Sequence, residues 1–161
     1  MKSMATILLG LVALTATNNT PGYATKSAGP PVVTPNTDTS HWVFTADRML
    51  PQYGRSNAIT GGYNVTYDPK KLVVYLPYTG RAYGGAGIPG EGNPLGFTSA
   101  EFKETRKEGK KGRLIVTIQP TDYREVQTMI FTFFDNGNAN LDVTFVNRSG
   151  VSFTGRVEPI Q

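Results

Sequence analysis

From residue 42 onward, apolar side chains recur at every second position in short runs, and this pattern constrains the fold most. Trp42, Phe44 and Ala46 share one parity, as do Tyr63, Val65 and Tyr67, then Leu114, Val116 and Ile118. The last run, Val151, Phe153, Gly155 and Val157, alternates with Ser152, Thr154, Arg156 and Glu158. A period of two puts alternate side chains on one face of a strand, so half-buried strands are expected. Leu72, Val74 and Leu76 follow the same rule, but Val73 and Tyr75 fill the gaps, which predicts a strand buried on both faces. Glycine (18) and proline (11) are plentiful while charged residues make up only 17%, a balance that suits a turn-rich β protein.

Turn chemistry separates the runs. Asp68-Pro69-Lys70 and the stretch from Glu108 to Gly112 both read as tight connections. The segment Phe97–Glu108 has capping-box spacing between Thr98 and Glu101, with Gly109 as a helix stop, yet it lies between β runs and is read as strand. Around Asp135-Asn136-Gly137 the register can be worked out. A two-residue Asn-Gly loop would set Phe133 against Asn140 and Phe131 against Asp142, opposing apolar to polar. A three-residue loop sets Phe133 against Ala139, Phe131 against Leu141 and Met129 against Val143, giving one apolar face. It also places Gly137 at the left-handed position of a type I turn with a bulge. About eight short strands result. Short connections make consecutive strands neighbours, so an antiparallel meander is expected, either closed into a barrel or folded as a β-sandwich.

The ends have a different composition. Lys2 followed by the apolar run from Met4 to Leu14, with small residues at Ala16 and Ala24, reads as a secretory signal cleaved near residue 16, or as late as 24. That run is too short to span a bilayer. Residues 17–40 read as a flexible linker, because 17 of these 24 are Thr, Asn, Pro, Gly or Ser. Residues 41–161 form the single folded domain. With no cysteine, the core alone must hold it. The net charge of +4 falls to +3 without Lys2, and six basic against three acidic residues in Glu101–Arg113 account for that +3. One basic hairpin loop is a solvated face, so no nucleic-acid partner is expected.

Catalytic groupings are sparse. There is no thiol, and His41 is the sole histidine, which excludes a multi-histidine zinc site. Asp47, Asp122, Glu125 and Asp142 are available for a carboxylate pair whose separation would decide its use; their plainer reading is turn and surface acids. No catalytic residue, metal or cofactor is assigned. Gly85-Ala-Gly87-Ile-Pro-Gly90 matches the dinucleotide pattern, but the prolines and glycines that follow forbid the helix it needs. The most suggestive stretch runs from Tyr75 through Tyr78 and Arg81 to Tyr83. Three tyrosines and an arginine within nine residues are the composition of a binding hot spot, and Tyr75, Tyr78, Arg81 and Tyr83 are the candidate ligand-binding residues. The plainer alternative is that the tyrosines plug one end of the fold and Arg81 pairs with a carboxylate.

Four blocks carry a family resemblance: 42–51 (WVFTADRMLP), 76–83 (LPYTGRAY), 134–143 (FDNGNANLDV) and 147–155 (NRSGVSFTG). Over about residues 42–158 the chain resembles domain of unknown function 4251, a family of exported proteins of Bacteroidetes. The resemblance implies a lipocalin-like β-barrel and brings no activity to transfer. Many members carry a lipid-modified cysteine. This chain has none, which points to a free periplasmic or secreted protein. The expected function is non-enzymatic binding of a small, partly apolar ligand at the barrel mouth by a monomer with no membrane span. The alternatives are a protein interaction or assembly module and a carboxylate-dependent hydrolase.

Overall fold

The computed structural model describes residues 40–83 and 92–160. The signal-like start, the linker up to residue 39 and the dinucleotide-like run at 85–90 lie outside the described residues. Ten strands form: β1 (Trp42–Pro51), β2 (Asn57–Ala58), β3 (Asn64–Asp68), β4 (Lys71–Tyr75), β5 (Gly96–Ser99), β6 (Phe102–Glu108), β7 (Leu114–Pro120), β8 (Val126–Phe133), β9 (Asn138–Phe145) and β10 (Val151–Pro159). All pair antiparallel in one sheet, in the order β5-β4-β3-β1-β10-β9-β8-β7-β6, with β2 on the side of β1.

This is a meander whose first and last strands also pair, Trp42 opposite Pro159 and Phe44 opposite Val157. The two sheet edges, β5 and β6, are separated only by Ala100 and Glu101. One bent segment therefore pairs β4 with its first arm and β7 with its second, and the sheet nearly closes into a barrel. Counting that segment once and β2 as a side piece leaves eight strands around the wall. The expected all-β meander is present, as a barrel and not a sandwich, and Phe97–Glu108 is strand.

Side chains hold the seam where backbone pairing stops. The Asp122 carboxylate accepts from the Ser99 hydroxyl and from the N–H groups of Ala100 (2.8 Å) and Glu101 (3.2 Å). Those bonds stabilise the anion and hold its carboxyl below the ordinary aspartate range. Tyr123 stacks on Phe97 at 4.0 Å and donates to the Pro94 carbonyl (3.1 Å). Beside β6, the buried Tyr67 donates to Glu104, which also pairs with Arg106, and Phe102 packs edge-on against the Tyr67 ring. Burial first, and then the Glu104 carboxylate, push the Tyr67 phenol up to about 12.

The β8–β9 hairpin has the expected register, with Phe133 opposite Ala139, Phe131 opposite Leu141 and Met129 opposite Val143. Gly137 adopts φ +79, the left-handed position that the three-residue loop requires. One expectation fails at β4. Leu72 and Val74 are buried and Val73 is half-buried, but Tyr75 is 56% exposed. The outer wall of a barrel meets solvent, so only one face of this strand is covered.

Aromatic rings fill the described interior. Trp42 stacks on Tyr67 (5.0 Å) and meets Phe131 (4.8 Å) and Phe133 (5.1 Å) edge-on, and Phe44 lies 5.8 Å from Phe131. The Trp42 indole N–H has no hydrogen-bond partner among the described residues, a cost of about 1–3 kcal/mol. Full burial of so large a side chain, and three ring contacts each worth about 0.5–1.5 kcal/mol, offset it. Packing of this kind substitutes for the absent disulfides.

In an up-and-down meander, alternate connections fall at opposite ends. The turns β3–β4, β6–β7 and β8–β9 share one end. The connections β1–β3, β4–β5, β7–β8 and β9–β10 share the other, which carries the two longest, β1–β3 and β4–β5.

Candidate binding surface at the loop end

The segment from Leu76 to Tyr83 leaves β4 and crosses the loop end of the barrel. It begins as core: Leu76 is fully buried, and its N–H donates to the carbonyl of Leu95 (2.9 Å), also fully buried. Tyr78 then turns inward. Its hydroxyl donates to the Ser149 carbonyl (2.9 Å) and lies 3.2 Å from the Ser149 hydroxyl, while its ring meets Phe145 edge-on at 4.9 Å. Gly80 passes so close that a Cβ there would sit 2.0 Å from the Tyr78 hydroxyl and 2.6 Å from the Ser149 Oγ. Beyond it, Arg81 N–H donates to Ser149 Oγ (2.9 Å), Ser149 N–H to the Arg81 carbonyl (2.9 Å), and Tyr83 N–H to the Asn147 carbonyl (2.8 Å). Two of the blocks that carry the family resemblance, 76–83 and 147–155, are thus each other's binding partners. Gln52 completes the lattice: its N–H donates to the Gly150 carbonyl (3.1 Å), and its side-chain oxygen accepts from Gly150 N–H (3.0 Å).

That lattice ties the two segments together and leaves some of their side chains facing outward. The Arg81 guanidinium lies over the Tyr53 ring, 5.7 Å from its centroid. Tyr53 is 53% exposed and Tyr83 47%. Slight desolvation at the surface and then the hydrogen-bonded Tyr53 hydroxyl raise the Tyr83 phenol above its ordinary value. Beside this cluster, an open groove of about 420 Å³ runs along the outer wall, lined by Leu50, Gln52, Asp142, Thr144, Arg148 and Ser152. The chain joins the two features twice, since Tyr53 follows Gln52 and Ala82 bridges to Arg148. Arg148 is largely covered and its Nε donates to Glu125 (3.2 Å).

The four candidate residues have separate fates. Arg81 and Tyr83 come together, with Tyr53. Tyr78 is a strut. Tyr75 stands apart on the outer wall, stacked on Tyr63 at 5.1 Å. Tyr78 packs inward against Phe145 and Ser149, whereas Arg81 lies over a ring and makes no ion pair with a described carboxylate. Sequence spacing gave no route to Tyr53, Leu50 or Gln52, because only the pairing of β1 with β10 brings residue 52 beside residue 150. The four carboxylates considered for acid–base work have separate surroundings. Asp122 holds the seam, Glu125 pairs with Arg148, Asp142 accepts from Ser152, and Asp47 lies in a bulge of β1. Among the described residues, no group of three or more His, Asp or Glu is placed to hold a metal, and no helix is long and apolar enough to cross a membrane.

Comparison with known proteins agrees with this architecture. No curated protein matches the sequence. A crystal structure of a DUF4251 family protein from Bacteroides eggerthii DSM 20697 is similar in fold, with a TM-score of 0.51 and 16% sequence identity, over 74% of this chain and 80% of that one. The family model described as Domain of unknown function (DUF4251) matches residues 36–157, nearly all of the strands described above, and the chain belongs to that family.

Proposed function

We propose that this protein is an exported, non-enzymatic binding module that engages a protein partner through its loop end. The observation that carries this reading is the solvent-facing set Tyr53, Arg81 and Tyr83, held by a backbone lattice and flanked by a groove with an exposed leucine. Tyrosine and arginine dominate binding hot spots because each buries a large area while keeping polar contacts. The backbone hydrogen bonds at Arg81 and Tyr83 lower the ordering cost of association. The smaller-ligand alternative needs room at the barrel mouth. Tyr78, Leu76 and Leu95 occupy that end and aromatic rings occupy the described interior, which favours the surface over a cavity. Export to the periplasm or beyond is part of the proposal and rests on the signal-like start.

The test replaces Tyr53 and Tyr83 by serine and Arg81 by alanine, singly and together, in the whole chain. Envelope proteins of the native host are cross-linked to each form and compared. A partner retained by the parent chain and lost from the triple variant, with unchanged circular dichroism, is the expected result. Equal capture by both forms would refute the reading.

A further inference from the structure

A second groove lies on another part of the wall and shares no lining residue with the first. We infer that it is a binding site for a neutral, polyhydroxylated ligand of the carbohydrate class. It is an open groove of about 450 Å³, and its polar lining comes from Asp47, Asn136, Asn138, Asn140 and Thr154, with Phe134 at one side.

Three elements converge there for identifiable reasons. On β9, the period of two sends Asn138 and Asn140 outward while Ala139 and Leu141 enter the core. On β10, Thr154 pairs directly with Asn140. On β1, the register with β10 slips between Ala46 and Arg48, so Asp47 is the extra residue of a bulge. Bulges re-aim side chains and are over-represented beside sites, and this one brings a carboxylate to the Thr154–Asn140 row. The Asp47 carboxylate and the side chains of Asn138, Asn140 and Thr154 have no hydrogen-bond partner among the described residues.

The chemistry of the lining selects the ligand. The amides both donate and accept, the threonine hydroxyl does the same, and Asp47 only accepts. That inventory matches vicinal hydroxyl groups. An inorganic anion would face Asp47 across the groove. A divalent cation is held chiefly by carboxylates, and this lining offers one, Asp47. An apolar ligand would leave the amides unpaired. Phe134 carries Arg113 over one ring face at 5.2 Å, and its other face suits the C–H groups of a sugar.

The test is a nuclear magnetic resonance titration of the isotope-labelled whole chain with cellohexaose, maltohexaose and mannohexaose, each to about 10 mM, enough to fill most of a millimolar site. Sodium phosphate and calcium chloride are the controls. Saturable shifts of the Asn138 and Asn140 side-chain amides with at least one oligosaccharide are expected, weakened at least tenfold in Asn140→Ala and in Asp47→Asn. Both positions are exposed, so both variants should fold, and circular dichroism checks it. Silence from all three oligosaccharides, shifts confined to the loop end, or shifts with calcium or phosphate alone would overturn the inference.

Discussion

Tyr78 provides a direct test of the division between strut and display. Its hydroxyl is the described donor to the carbonyl of Ser149, a residue only 2% exposed. Tyr78→Phe keeps the ring against Phe145 but leaves that buried acceptor without its donor, which costs about 1–3 kcal/mol. Ser149 Oγ still accepts from Arg81 N–H, so the loss stays within that range. Tyr78→Ala removes the ring as well. Aromatic-to-alanine changes in cores cost about 3–5 kcal/mol, and the partial exposure of Tyr78 places it near the lower figure. Urea unfolding of the parent chain and both variants measures the difference, with an unchanged m value as the sign that the unfolded state has not altered. The expected order is parent, then phenylalanine, then alanine, in steps of about 1–2 kcal/mol. An alanine variant within about 0.5 kcal/mol of the parent that nevertheless loses its partner would refute the reasoning and make Tyr78 a contact residue.

Other consequences are equally specific. Gly80→Ala pushes a methyl group into the Tyr78 hydroxyl and Ser149 Oγ, and a loss of about 1–3 kcal/mol is expected by the same urea assay. In an ultraviolet titration of the tyrosines, one phenol should ionise near 12, and Tyr67→Phe should abolish that late step. Because the folded value of Tyr67 lies above the ordinary 10, its share of stability is fully present below pH 10 and is lost as the pH rises toward 12. Asp122 behaves oppositely. Its folded value is depressed, so its contribution is complete above the ordinary 3.8 and disappears as the pH falls through the lower folded value; Asp122→Asn should flatten that part of the acid-stability curve.

Much of the wall was legible because period-two alternation is a backbone rule that needs no tertiary information. The β8–β9 hairpin was legible to the residue, since only one loop length gives Phe131 and Phe133 apolar partners. Phe97–Glu108 was legible as strand, but not as a bent segment whose arms face different neighbours; that depends on barrel closure. The two-sided reading of β4 failed because an aromatic residue beside a valine looks like core in sequence, whereas Tyr75 stacks on Tyr63 outside the wall. At the loop end, composition singled out the stretch from Tyr75 to Tyr83 but could not sort it. Position relative to Ser149 decides that Tyr78 is buried, and position relative to Tyr53 decides that Arg81 is displayed. Each decisive partner lies tens of positions away in the chain, beyond any local signal.

Native mass spectrometry of the protein drawn from its own host's envelope tests the central claim most directly. A complex with a second polypeptide is expected for the parent chain, reduced to the bare protein when Tyr53, Arg81 and Tyr83 are replaced together. A stoichiometric small-molecule mass, retained by that variant and released on denaturation, would contradict it and return the function to a ligand carried by the barrel.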